Sequence, residues 1–401
     1  MSPLQESLAR NWRKGLQALR DPYGAWSPKR ISIAAAVAVV VLGGIVAGVI
    51  VGTSSNTVAS SNTSPTSSSS STLPSTSHKH HHPPPVVHVA VTCPLTGLPA
   101  PGGKVPQRPV LAVKVGNDPL ARPQSGLQDA DVVYNTLAEG GITRYIAVFQ
   151  CNNSSSIGPV RSVRWDDWHI LQQFGRADLA FVHGIDPDVN TVQSLSWVCD
   201  LDDFGHPNLY QQNPARNAPE ATYTSTASLY SGCSHAPAPP SPFTFSKTAK
   251  PAGSRPVTSV NVGYSTYEQQ DVVWTWSKSK GDFLHNYLQN GSVTADLGPS
   301  GQQLQAKNVV IVRVSVQYGQ YPETPGGTGD VESITEGSGV AYVLRDGRLQ
   351  VGTWVRPSWN DIMKLVGANG RPMTLAPGNT WVEIVPNSYQ VTFTPALPKH
   401  A

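Results

Sequence analysis

The chain has 401 residues and a formal net charge of +3, from 29 Lys and Arg against 26 Asp and Glu. Six cations and two carboxylates give residues 1–30 a local charge of +4, and Lys79 adds one, so residues 93–401 carry 3 − 4 − 1 = −2. A near-neutral remainder argues against nucleic-acid binding, which needs a basic face, and its length leaves room for two folded domains.

Residues 1–30 read as a cytoplasmic basic tail. Residues 31–52, ISIAAAVAVVVLGGIVAGVIVG, are uncharged and about as long as a bilayer core requires, so they read as a transmembrane helix. The positive-inside rule keeps Arg10, Arg13, Lys14, Arg20, Lys29 and Arg30 cytoplasmic and places the rest of the chain outside the cell membrane. The run is long for a signal-peptide core and no lipobox cysteine follows it, which favours an uncleaved single-pass anchor over a cleaved signal. Gly44, Gly48 and Gly52 form two overlapping GxxxG steps, a face on which two spans could pair into a homodimer. Residues 53–90 are rich in Ser, Thr and Pro and end in HKHHHPPPVVH, too polar to bury a core, so they read as a disordered tether. Its histidines at 78, 80, 81, 82 and 88 suit a polar stalk better than a metal site, and no metal or cofactor is expected.

Beyond the tether, PVLAVKV (109–115), DVVYNTL (131–137) and RYIAVFQ (144–150) read as strands. A helix is expected to begin near Arg161, followed by a fourth strand, ADLAFVHG (177–184). The Pro-rich HAPAPPSPF (235–243) marks a seam between an N-terminal lobe, 91–240, and a C-terminal lobe, 255–390. In the second lobe NVVIVRVSV (308–316) reads as a central strand and WVEIVP (381–386) as another. VAYVLRDGRLQVGTWVR (340–356) reads as a hairpin turning at Asp346-Gly347. Trp274 and Trp276 lie two apart on a strand and so share a face; core packing is the expectation, an exposed sugar platform the alternative. The fold class is α+β, with mixed sheets, a few helices and two lobes.

Four cysteines, Cys93, Cys151, Cys199 and Cys233, lie in the part expected outside, where disulfides persist. They allow three pairings that the sequence does not decide; Cys199 with Cys233 and Cys93 with Cys151 is the expected set. No GxSxG, HExxH or GxxxxGK[ST] occurs. GLPAPGGKV (97–105) has the wrong glycine spacing for a phosphate loop, and SKSK (277–280) lacks the KTG companion of a penicillin-binding acylase.

What remains is a set of polar residues around the turns of the first lobe. Lys114, Asn117, Asp118, Arg122, Gln124 and Ser125 surround the first turn. Glu139, Thr143 and Arg144 bracket the EGG turn. Arg161, Ser162, Arg164 and Asp166 open the expected helix, and His183, Asp186 and Arg216 follow. Cations are disfavoured at a helix start, so Arg161 and Arg164 either pair with carboxylates such as Asp166 and Asp167 or await an anionic ligand. Glu139 with Asp166 also forms a candidate acid–base pair.

These stretches carry a resemblance. CPLTGLP (93–99), RPVLAVKVGND (108–118), ARPQSGLQDADVVYNTLAEGGITRYIAVF (121–149), GPVRSVR (158–164) and RNAPEATYTST (216–226) resemble the first half of the YerB-like envelope lipoproteins, domain-of-unknown-function family 3048. NVVIVRV, GSGVAYVLRDGRLQVGTWVR and APGNTWVEIVP (376–386) resemble its C-terminal domain. The resemblance implies an extracytoplasmic, membrane-held protein of mixed α and β structure in two parts, and no established reaction or ligand. Three features depart from the family's pattern: a span and tether replace the lipid-bearing cysteine, VHGI (182–185) stands where small residues are expected, and the cysteines are additions.

The leading functional expectation is a membrane-tethered binding or scaffold protein of the bacterial cell envelope. Its ligand would be an anionic or glycan envelope component, or a wall-synthesis protein, held by the first-lobe arginines. The alternative is an envelope hydrolase using Glu139, Asp166 and His183.

Overall fold

The computed structural model describes residues 90–234, 236–248, 250–264, 270–322 and 327–397. The expected basic tail, the span with Gly44, Gly48 and Gly52, and all but the last residue of the tether lie outside the described residues. Among the described residues, no helix is long and apolar enough to cross a membrane. The described residues all fall within one compact unit.

The run VLAVKVG shows why the strands form where they do. Val110 and Ala112 point to one face and Leu111, Val113 and Val115 to the other, and every residue of β1 (Val110–Gly116) is buried. β2 (Val132–Leu137) and β3 (Thr143–Phe149) are buried throughout in the same way. β3 runs antiparallel between β1 and β2, while β4 (Ala177–Phe181) and β5 (Val198–Asp202) extend the sheet parallel to β1. β6 (Gln211–Gln212) and β7 (Thr222–Tyr223) form a small separate ribbon.

The C-terminal segment contributes to two sheets. β8 (Arg255–Pro256) joins the large sheet, whereas β9 (Ser259–Val262), β10 (Val272–Ser277), β11 (Asp282–Gln289), β12 (Ser292–Ala295) and β13 (Gln305–Ala306) belong to a second sheet. β14 (Asn308–Pro322), β15 (Gly329–Ile334), β16 (Gly337–Arg345), β17 (Arg348–Arg356), β18 (Lys364–Gly367) and β19 (Thr380–Pro386) return to the large one. β20 (Val391–Thr394) then closes the second sheet beside β9. β19 is the join between the two segments: it lies parallel to β14 on one side and to β2 on the other, with Thr380 opposite Val132.

The large sheet is covered on both faces. Leu111, Val113, Tyr145, Val309 and Trp381 pack toward Val260, Trp274 and Phe283 of the second sheet. Val110, Ala112, Ile146, Val310 and Val382 pack with Trp168, Ile170 and Leu171 of α1 (Trp165–Leu171). Two further short helices, α2 (Asp186–Ser194) and α3 (Thr226–Tyr230), complete a strand-dominated α+β fold.

Several expectations hold and some shift. Asp346 and Gly347 turn the β16–β17 hairpin with φ of 51° and 65°. Trp274 is fully buried, and Trp276 is half-buried against Phe283, 5.0 Å between ring centres, so the pair is core and makes no exposed platform. The helix begins at Trp165, later than Arg161. Arg161 N–H donates to Lys114 O at 2.9 Å and Val163 N–H to His183 O at 3.1 Å, which ties this stretch to the sheet as extended chain. β14 runs on to Pro322 because its outer half pairs with β15 as a ribbon.

Cys93–Cys151 and Cys199–Cys233 are both bonded, with sequence separations of 58 and 34, and no cysteine is free. Each bridge restrains the unfolded chain, so Cys199→Ser with Cys233→Ser is expected to lower the unfolding free energy by roughly 2–4 kcal/mol in denaturant titration. An unchanged midpoint would show that the bridge adds no stability.

Candidate functional site

Strand direction gathers the candidate residues. β1, β2, β4, β5, β14 and β19 all run the same way, so their carboxyl ends and the start of antiparallel β3 share one end of the sheet. Asn117, Asp118 and Arg122 follow β1, Glu139 follows β2, Thr143 and Arg144 open β3, and His183 follows β4. Arg161, Ser162, Arg164 and Asp166 lie on the segment leading into β4. Ligand crevices in open α/β sheets form at such carboxyl ends.

Glu139 is the centre of one cluster. Gly140 and Gly141, with φ of 69° and 75°, reverse the chain directly after it. Arg164 Nε donates to Oε2 at 2.9 Å, while Arg164 Nη2 and Arg144 Nη2 donate to Oε1 at 2.6 and 2.8 Å. Arg144 also reaches Ser162 O at 3.3 Å, and Arg164 reaches Val163 O at 2.7 Å. Burial pulls the Glu139 pKa up, but the Arg164 hydrogen bonds and both guanidinium charges outweigh it and hold it at about 2.

Behind this cluster, fully buried Lys114 donates to Asp167 Oδ1 at 2.6 Å and to Thr136 Oγ1 at 3.3 Å. Asp167 Oδ2 accepts the Arg164 N–H at 2.9 Å and so caps α1. Asp166 accepts the Ser333 N–H from β15 at 2.7 Å, and its Oδ2 has no hydrogen-bond partner among the described residues. Burial, only partly opposed by Ser333 and Lys114, pushes its carboxyl up to about 7.

Arg161 pairs instead with Glu220 at 2.6 Å. It lies over Gly116, where a Cβ would come within 2.9 Å of Arg161 Cγ, so only glycine leaves room for the side chain. Burial raises the Glu220 pKa against the pull of Arg161, and the neighbouring Asp118 charge raises it further. Arg216 donates to Leu120 O at 2.9 Å and Pro123 O at 2.8 Å, fixing the loop after β1.

Asn117 and Thr143 are buried and serve a joint between the segments. Asn117 Nδ2 donates to Thr143 Oγ1 at 2.7 Å, and Asn117 Oδ1 accepts from Tyr287 OH at 2.7 Å and Gln124 Nε2 at 3.0 Å. Arg122 lies 3.5 Å above the Tyr287 ring and donates to Asn117 O at 3.1 Å. Gln270 Oε1 accepts the Thr143 N–H at 3.0 Å. His183, 68 % exposed with φ of 58°, places Nδ1 3.0 Å from Asp203 Oδ1. Asp186 opens α2. Glu139, Asp166 and His183 thus each have separate partners.

Sequence reading missed Glu220, Tyr287, Gln270, Ser333 and Asp203. The first four stand 59, 170, 127 and 167 residues from the groups they bind, and no local pattern links residues so far apart. Asp178, Cys199 and Cys233 cluster with metal-ligand spacing, but both sulfurs are committed to the disulfide.

Two family models match the chain, the N-terminal domain of a protein of unknown function (DUF3048) over residues 95–238 and its C-terminal domain over 260–382. The chain is 30% identical over 305 residues to "Putative lipoprotein YerB" of Bacillus subtilis (strain 168), covering 73% of this chain and 86% of that protein. The crystal structure of the Bacillus subtilis YerB protein shares the fold, with a TM-score of 0.63 and 24% identity over 75% of this chain and 99% of that one.

The two carboxyls give opposite pH behaviour. Asp166 has a folded-state pKa of about 7, above an unfolded value of 3.8, so its favourable contribution is complete below about pH 4 and is lost as pH rises through 7. Asp166→Asn, which can keep the Ser333 contact, is expected to be neutral near pH 4 and stabilising by up to about 4 kcal/mol at pH 8. Glu139 is depressed, so its contribution is present above pH 4.5 and is lost as pH falls through about 2. Glu139→Gln is expected to cost about 3 kcal/mol at pH 7. Denaturant unfolding of both variants at pH 4 and pH 8 measures the signs, and equal effects at the two values for Asp166→Asn would refute the assignment.

Proposed function

Because this chain belongs to the DUF3048 family, we propose that it is a membrane-tethered binding or scaffold protein of the bacterial cell envelope, with residues 91–401 outside the cytoplasmic membrane. The anchor reading is supported by the uncharged run at 31–52 behind six cations. The Bacillus relative, whose name carries the word lipoprotein, is consistent with attachment to a membrane by another device. Two bonded disulfides fit an oxidising compartment.

One observation carries the binding reading: charged side chains from separate elements converge on the carboxyl-end rim as an interlocked, mutually paired set. Lys114 pairs with Asp167, Arg144 and Arg164 share Glu139, and Arg161 pairs with Glu220, so each of the four cations is held by a carboxylate. A preorganised rim whose cations are already paired suits a protein surface of mixed charge better than a bare anion, and a wall-synthesis protein is the partner we favour. The hydrolase reading has less support. Glu139 is held ionised by two arginines, Asp166 is fully buried on a backbone amide, and His183 pairs with a different carboxylate.

A photo-crosslinking residue at His183, compared with one at exposed Val293 on the second sheet, tests this in native membranes of the full-length protein. A discrete protein adduct from position 183 and none from 293 is the expected outcome. No adduct from 183, together with wall-polymer cleavage that disappears in Glu139→Gln, would replace the binding reading with the hydrolase.

A further inference from the structure

A second feature lies at the opposite end of the large sheet from the rim. Asp178 and Cys199 are the second residues of the parallel strands β4 and β5 and stand opposite each other in the ladder, so their side chains leave the same face. Cys199 is bonded to Cys233, which lies three residues beyond α3. One carboxylate oxygen of Asp178 and both sulfurs lie within 4.8 Å of one another. Among the described residues no carboxylate stands in the same relation to Cys93–Cys151.

Asp178 is 1 % exposed, yet no partner in the fold uses its charge. Its Oδ1 has no hydrogen-bond partner among the described residues, and no ion pair there holds the carboxyl. Asp131, the buried carboxylate beside Cys151, is the contrast: its Oδ2 accepts the N–H groups of Gln150, Cys151 and Asn152 at 2.5, 3.0 and 3.3 Å. A buried carboxyl without such partners is costly to keep and calls for an explanation in what the group does. Burial pushes the Asp178 carboxyl up to about 7, opposed by the charge of Arg176. Tyr230 of α3, beneath the Arg108 guanidinium, is the titratable side chain that the Asp178 charge acts on in turn. Asp178 therefore has a proton to give near neutral pH. The bridge is also open to a reagent. β5 is the last strand of the large sheet, both of its cysteines are half-buried, and Ser231, Gly232 and Ser234 around Cys233 are exposed. Cys93 and Cys151 are buried.

We propose that Cys199–Cys233 is an exchangeable disulfide that accepts two electrons from a dithiol, with Asp178 as the proton donor to the departing Cys199 thiolate. One thiolate of the dithiol attacks Cys233 Sγ to form a mixed disulfide, the Sγ–Sγ bond breaks, and its electron pair goes to Cys199. The parted sulfur turns about its Cα–Cβ bond toward the carboxyl and takes the Asp178 proton, and Asp178 recovers one from solvent. The second thiolate of the dithiol then attacks its own sulfur in the mixed disulfide and releases Cys233, which water protonates. The dithiol leaves as a disulfide, and the two protons it lost match the two gained by Cys199 and Cys233. The new Cys199 thiol also supplies the donor that Asp178 lacks while the bridge is closed. The assignment is independent of the rim and does not rest on the partner-docking reading.

Time courses of bridge opening by dithiothreitol in the full-length protein in detergent test it, with alkylation and peptide mass mapping to read each bridge separately. The rate constant is expressed per thiolate of the reagent, which removes the reagent's own ionisation. For Cys199–Cys233 it is expected to fall roughly tenfold between about pH 6 and pH 8, as Asp178 loses its proton. For Cys93–Cys151 in the same samples no such fall is expected. Asp178→Asn is expected to give a flat profile at the slow value that the parent shows near pH 8. A flat profile at the fast value would mean that the carboxylate only repels the thiolate, and it would overturn the proton-donor role. A flat profile in the parent, an unchanged fall in Asp178→Asn, or a Cys199–Cys233 bridge that opens only when the protein unfolds also overturns the proposal. The parent profile and its internal reference are read without the variant, so they decide the matter even where Asp178→Asn does not fold.

Discussion

The fold turns on one buried carboxylate. Glu383 is wholly inaccessible in β19, and among the described residues no cation pairs with it. An ionised group in that position costs several kcal/mol unless strong hydrogen bonds offset it. Three donors do so: Asn135 Nδ2 at 2.9 Å, Tyr264 OH at 2.8 Å and Trp274 Nε1 at 2.9 Å. They come from β2, from the end of β9 and from β10, so Glu383 is satisfied only when β19 lies beside β2 and the second sheet is docked over both. Glu383 sits directly opposite Asn135 in the parallel ladder, and a one-residue slip would turn it to the other face. The carboxylate therefore fixes register, strand neighbour and sheet packing together.

The same junction sets the geometry of the rim. With β19 locked to β2, the Tyr287 hydroxyl of β11 reaches Asn117 at the end of β1 and lies 2.8 Å from Tyr145 OH. Arg122 then closes over the Tyr287 ring, and Gln270 takes the Thr143 amide. The loops carrying Asp118, Glu139 and Arg144 are thereby held from below by the second sheet. From above, β15 is anchored through the Ser333 amide on Asp166. The rim is rigid because its supports belong to segments distant in sequence, which suits a surface that presents charges in fixed positions.

How much of this was legible follows from where each partner lies. VLAVKV and NVVIVRV announce buried strands because the signal sits in consecutive residues. Asp346-Gly347 announces a turn for the same reason, and the cysteine partners are 34 and 58 residues apart. The start of α1 was misplaced because the Arg161 and Val163 amides are captured by Lys114 and His183 across the sheet, which no helical periodicity registers. The arginines were recognisable as charged groups at turns. Their engagement was not, since Glu220 lies 59 residues along the chain from Arg161 and Ser333 comes near Asp166 only after β19 joins the segments.

What the rim can bind is a question of reference state. At the rim an incoming anion must displace a carboxylate already bonded at 2.6 to 2.9 Å, and the low pKa of Glu139 measures how strongly its arginines hold it. The net gain is the small difference between two similar pairs, while the displaced carboxylate, three-quarters buried, is left without its partners. A partner that brings both signs avoids that loss. Concentrated arginine in a sequence therefore points to where charge is structurally committed, and the cations with the fewest carboxylate neighbours are the ones free to act on a ligand.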